Sequence, residues 1–92
     1  MIDNNIFDSI VVLNIKHYKT ISSCESHGYT KGIREIYILF AKQYVFDSLP
    51  NKFYSLIYGG KTIIGYKPTD EFDKYNALQD LFAWASNLKY NS

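Results

Sequence analysis

A chain of 92 residues, 47% hydrophobic and 21% charged, reads as one globular domain: too short for a second and too apolar for a disordered segment. Ten basic against nine acidic side chains leave a net charge of +1, which argues against a protein held to its partner chiefly by phosphate contacts and equally against an acidic mimic of nucleic acid. The longest apolar run, Ile36 to Ala41, falls far below the roughly 20 residues that cross a bilayer, no signal-peptide pattern opens the chain, and one cysteine suits a reducing compartment, so a cytoplasmic protein is expected.

Residues 9–18, SIVVLNIKHY, are rich in β-branched side chains, and Val11, Leu13 and Ile15 alternate with Asn14, Lys16 and Tyr18. The alternation predicts a strand, although Ile6, Ile10 and Leu13 also suit one helical face. The polar stretch that follows, TISSCESHGYTKG, predicts a loop. From Lys31 to Phe46 the period changes. Ile33, Ile36, Tyr37, Phe40 and Tyr44 share one side of a helix, with Thr30 as N-cap and the stop near Pro50. Next, KFYSLIYGGKTIIGYKP places two β-rich runs around Gly59-Gly60, the pattern of a hairpin, and Pro68 ends its second strand. A final helix spans Asp70 to Lys89, capped by Thr69 or Asp70, with an apolar stripe of Phe72, Tyr75, Leu78, Leu81, Phe82, Ala85 and Leu88. Residues 89–92 read as a frayed tail. The expected fold is thus a small single α+β domain of order β-α-β-β-α, with two helices on one face of an antiparallel sheet.

Reactive chemistry finds little support. Cys24, Glu25 and His27 lie close in sequence, but a structural zinc site needs four ligands and the chain supplies no second Cys or His pair. A cysteine nucleophile would need an oriented base, an oxyanion hole and a substrate pocket. No phosphate-loop, dinucleotide or metalloprotease motif occurs, and a hairpin turn accounts for Gly59-Gly60-Lys61. No catalytic, cofactor-binding or metal-binding residues are assigned, and the chain is read as a non-enzyme.

The unusual feature is aromatic content: nine Tyr, six Phe and one Trp. A turn over residues 59–61 would set Tyr58 opposite Thr62, Leu56 opposite Ile64 and Tyr54 opposite Tyr66, all on one outward face. Tyrosine is amphipathic and loses little entropy when fixed, which suits it to binding surfaces. Tyr54, Leu56, Tyr58, Ile64 and Tyr66 are therefore the candidate partner-binding residues. Tyr29 joins them at the rim, and Asp70, Glu71 and Asp73 would steer toward a basic partner. The leading expectation is a protein-binding module that acts as a small inhibitor, analogous in size and simplicity to phage anti-defence proteins, anti-CRISPR proteins included, and to toxin-immunity proteins.

A second expectation is single-stranded nucleic-acid binding by stacking on sheet aromatics. The β-α-β-β-α order resembles most of an RNA-recognition motif, and KGIREIYI begins with that family's Lys-Gly but has Ile33 and Glu35 where its stacking aromatics stand. The net charge keeps nucleic acid behind protein as the partner. A homodimer is the third expectation.

Overall fold

The computed structural model describes residues 6–24 and 35–91 and arranges them as α1 (Ile6–Ile15), β1 (Thr20–Cys24), β2 (Ile36–Phe40), β3 (Tyr54–Tyr58), β4 (Lys61–Tyr66) and α2 (Glu71–Asn87). The four strands form one antiparallel sheet in the order β1-β2-β4-β3. The α+β class, with an antiparallel sheet and two helices, agrees with the sequence. The order is α-β-β-β-β-α, and the difference lies in the first half.

There the segment read as a strand is α1. Ile6, Ser9 and Leu13 are buried and Ile10 is half-buried, a spacing of three and four that lays one face against the core. Val11 and Ile15, which the alternation would have put inside, are exposed. Packing against α2 has overridden β-propensity. The segment read as a loop contributes β1, whose Ser22 and Ser23 are exposed on an edge strand, where polar side chains are tolerated.

The helix expected from Lys31 to Phe46 is replaced, over its described part, by β2 and the irregular segment that follows it. Ile36, Ile38 and Phe40 alternate into the core, all fully buried, while Tyr37 and Leu39 between them are half-buried on the other face. A central strand lined with apolar groups on both faces has no polar side, and that lack made the stretch read as helical. Thr30 and residues 31–34 lie outside the described residues.

The core joins Leu13 of α1, Ile36, Ile38 and Phe40 of β2, Ile64 of β4, and Leu78, Leu81, Trp84 and Ala85 of α2. The irregular segment 41–53 closes one end with aromatics: Phe46 meets Trp84 edge-on at 5.0 Å between ring centroids, and Trp84 Nε1 donates to Ser48 O at 2.8 Å. Thr62, buried on β4, both accepts from Tyr44 N and donates to Tyr44 O.

α2 begins as expected, with Asp70 accepting at Oδ1 from Asp73 N at 2.7 Å. Its apolar stripe is narrower than the sequence implies, since Phe72, Tyr75 and Phe82 are exposed. Its C-terminus carries no basic residue of its own, and Lys16 from the end of α1 supplies one by donating to Ser86 O at 2.5 Å and Leu88 O at 2.6 Å. Within the segment read as a frayed tail, residues 89–91 are tied back to the turn after α1: Tyr18 Oη donates to Lys89 O, and Asn91 donates to Lys16 O and His17 O.

Candidate protein-binding face

Gly59 and Gly60 both adopt positive φ, +58° and +76°, which a two-residue hairpin turn of the I′ type requires. Tyr58 therefore pairs with Lys61, Leu56 with Ile63 and Tyr54 with Gly65. The turn is one residue shorter than the sequence reading placed it, and the register shifts accordingly. Tyr54, Leu56 and Tyr58 still share a face, now with Lys61, Ile63 and Gly65 rather than with Thr62, Ile64 and Tyr66.

The two faces differ in what covers them. Thr62, Ile64 and Tyr66 stand beside Ile36 and Ile38 toward the helices, where Ile64 is fully buried. Ile64 and Tyr66 are thus removed from the outward set. The opposite face carries Tyr37, Leu39, Ile63, Gly65, Tyr54, Leu56 and Tyr58, and neither helix packs on it. Among its described residues the charged groups stand at its margins, Glu35 just before β2, Lys61 at the hairpin and Lys67 just after β4. β3 forms one border of the sheet, and all five of its residues are exposed.

The two tyrosines of β3 are held differently. Tyr54 Oη donates to a carboxylate oxygen of Glu35, and its ring lies over Gly65, where a Cβ would fall 2.7 Å from that hydroxyl and 3.1 Å from Ile36 O. The Glu35 hydrogen bond, then burial, then repulsion from the Glu35 charge push the Tyr54 phenol up to about 12. Tyr58 stands 71% exposed against 38% for Tyr54.

The acids at the start of α2 are occupied by structure. Asp70 is the cap, and Glu71 lies 3.6 Å from Lys74. Asp73 accepts from Tyr66 Oη at 2.5 Å, from Thr69 N at 2.9 Å and from Thr69 Oγ1, with Lys52 3.6 Å away. The Tyr66 hydrogen bond first, and then the Thr69 amide, hold the Asp73 carboxyl below its ordinary range; the same bond raises the Tyr66 phenol. Asp70 and Glu71 remain exposed beside this network.

Cys24 ends β1, whereas Glu25, His27 and Tyr29 lie outside the described residues. Among the described residues no three His, Cys, Asp or Glu side chains are grouped to hold a metal, and no helix is long and apolar enough to cross a membrane. Comparison with known protein families, characterised proteins and solved structures finds no match.

The exposure of all of β3 escaped the sequence reading. Its signal was present in YSLIY, an uncharged run without the lysine or proline that commonly blunts a sheet edge.

Proposed function

We propose that the chain is a non-enzymatic protein-binding module that presents β3 and the helix-free sheet face to a partner protein and occludes a functional surface there. One observation carries this reading: β3 is an uncharged border strand with every residue exposed, and it adjoins a face built from Tyr37, Leu39, Tyr54, Leu56, Tyr58 and Ile63. An extended segment of the partner can add to such an edge through backbone hydrogen bonds, while Leu56 and Tyr58 supply side-chain anchors. The kind of inhibitor that fits is the single-domain type used in phage anti-defence and toxin immunity, acting in the cytoplasm by shape alone.

The test is affinity capture from native lysate, with and without nuclease, using the wild-type chain and a Leu56→Lys, Tyr58→Ser variant. Both positions are exposed, so the variant should keep the fold. A protein retained by the wild type through nuclease treatment, and bound roughly thirtyfold more weakly by the variant, supports the reading. Equal retention of that protein by the two chains overturns the assignment of the surface. Capture that vanishes with nuclease favours the second reading, in which Tyr54 and Tyr58 stack on the bases of a single strand.

A further inference from the structure

The two borders of the sheet are finished differently. β1 is blunted: its register against β2 shifts between Thr20 and Ser22, and Ser22 and Ser23 stand exposed. β3 runs along β4 without a shift, from Tyr54–Gly65 to Tyr58–Lys61, and carries neither charge nor proline. All five of its residues are exposed, Ser55 and Ile57 on the helix side included, so among the described residues neither helix overhangs this border.

The turn fixes which backbone groups of β3 are free. A two-residue loop makes Tyr58 and Lys61 a hydrogen-bonded pair, and such pairs recur at every second residue, at Leu56–Ile63 and Tyr54–Gly65. The amides and carbonyls of Ser55 and Ile57 therefore point away from β4, to the open border.

This border is complementary to itself, because the pattern Tyr-x-Leu-x-Tyr reads the same in both directions. A second β3, antiparallel and related by a twofold axis at Leu56, would set Tyr54 against Tyr58, Ser55 against Ile57 and Leu56 against its own copy. Ser55 N would then donate to Ile57 O of the second copy, Ile57 N would donate to Ser55 O, and the axis would repeat both bonds. The row formed by Leu39, Ile63 and Leu56 would run on into the same row of the second copy as one apolar stripe. Charge agrees with this register. Glu35, held on the Tyr54 hydroxyl, would share a row with Lys61 of the second copy, while the two Lys61 side chains would stand at opposite ends of the joined face. Lys52 and Lys67 lie beyond the paired residues. A shift of two residues either way would set Tyr58 against Lys52 or Tyr54 against Gly60 instead.

We propose that β3 is closed in the free protein by β3 of a second copy, in a twofold-symmetric dimer whose two four-stranded sheets run on as one. The proposal rests on the reading of β3 as a contact surface and adds its regulation. A strand edge takes one neighbour, so the second copy and a strand of a foreign partner exclude each other.

The experiment is sedimentation equilibrium of the full chain from roughly 10 μM to 1 mM, where the wild type should be a dimer. Leu56→Lys and Leu56→Glu each set like charges face to face on the axis and should weaken the dimer by about tenfold or more. Mixing the two variants sets opposite charges there and should restore it. Ser55→Pro, which removes an outward amide without touching the β3–β4 ladder, should also weaken the dimer, whereas Val11→Lys on the exposed side of α1 should not. Circular dichroism melts of the variants separate loss of the dimer from loss of the fold. The proposal is overturned by a wild type that stays monomeric at roughly 1 mM, by variants at Leu56 that dimerise as well as the wild type, or by a mixture that restores nothing. A monomer that still captures a protein through β3 overturns this proposal alone. A dimer whose capture of a protein is indifferent to Leu56 and Tyr58 supports it and overturns only the placement of the foreign partner on β3.

Discussion

Replacing Lys16 with Met leaves the aliphatic stem in place and removes the cation that closes the C-terminus of α2. In the native fold Lys16 Nζ donates to Ser86 O and Leu88 O and lies 5.8 Å from the Tyr90 ring centroid. A hydrogen bond from a charged donor contributes about 1.5–3 kcal/mol when buried, and a cation at a helix C-terminus about 0.3–1. The site is only part-buried and water can replace the donor at both carbonyls, so the lower end applies, giving about 2 kcal/mol in all. For a domain of this size that corresponds to a fall in Tm of about 8–16 °C. Circular dichroism melts and urea titrations read it, with an unchanged m-value showing that stability rather than compactness has moved. Lys16→Arg should recover part of the loss, and Lys67→Met should cost little. A Lys16→Met melt within about 2 °C of wild type would refute the view that α1 supplies the missing helix cap.

The remaining expectations concern a buried hydroxyl, the hairpin turn and pH. Among the described residues Ser9 Oγ is buried without a hydrogen-bond partner, so Ser9→Ala should stabilise by about 1 kcal/mol, read in the same urea titration; a loss of stability would contradict the burial. Gly60→Val forces a branched side chain into positive φ and should cost about 2 kcal/mol, whereas Gly59→Asn should be nearly neutral; equal effects would count against the I′ turn. Asp73 titrates below its unfolded value, so its carboxylate stabilises the fold above about pH 4 and that contribution is lost as pH falls through the folded value. Asp73→Asn should flatten the acid limb of stability against pH. Tyr54 behaves in the opposite sense: its contribution is intact below about pH 10 and lost as pH rises toward the folded value of about 12, and Tyr54→Phe should remove that alkaline dependence.

The second half of the chain was legible because its signals are local. Gly59-Gly60 allows one kind of connection, and Asp70 followed by Asp73 marks a helix start whichever partner the helix meets. The first half depends on tertiary context. Ile6, Ile10 and Leu13 suit a helix while Val11, Leu13 and Ile15 suit a strand, and only the presence of α2 decides between them. Ile36 and Phe40 likewise satisfy a helical stripe and a strand face together, and the position of β2 between β1 and β4 resolves it. The outward set suffered from a smaller ambiguity, one residue of turn length, which kept Tyr54, Leu56 and Tyr58 together and sent Ile64 and Tyr66 inward. Three of the nine tyrosines serve packing: Tyr18 and Tyr44 join Phe40, Phe46 and Trp84 in one aromatic cluster, and Tyr66 lies against Phe53.

The seat that Gly65 provides for Tyr54 bears on the thermodynamics of any contact at β3. Immobilising a free side chain at an interface costs about 0.5–1.5 kcal/mol, and in the proposed complex Tyr58 and Leu56 would incur that cost. Tyr54 is already held by Glu35 and by the close backbone at Gly65, so on the proposed reading it would meet a partner as a rigid plate. The glycine is thereby an entropic device. A methyl group at position 65 would displace the ring from this seat and, on the proposed reading, weaken association.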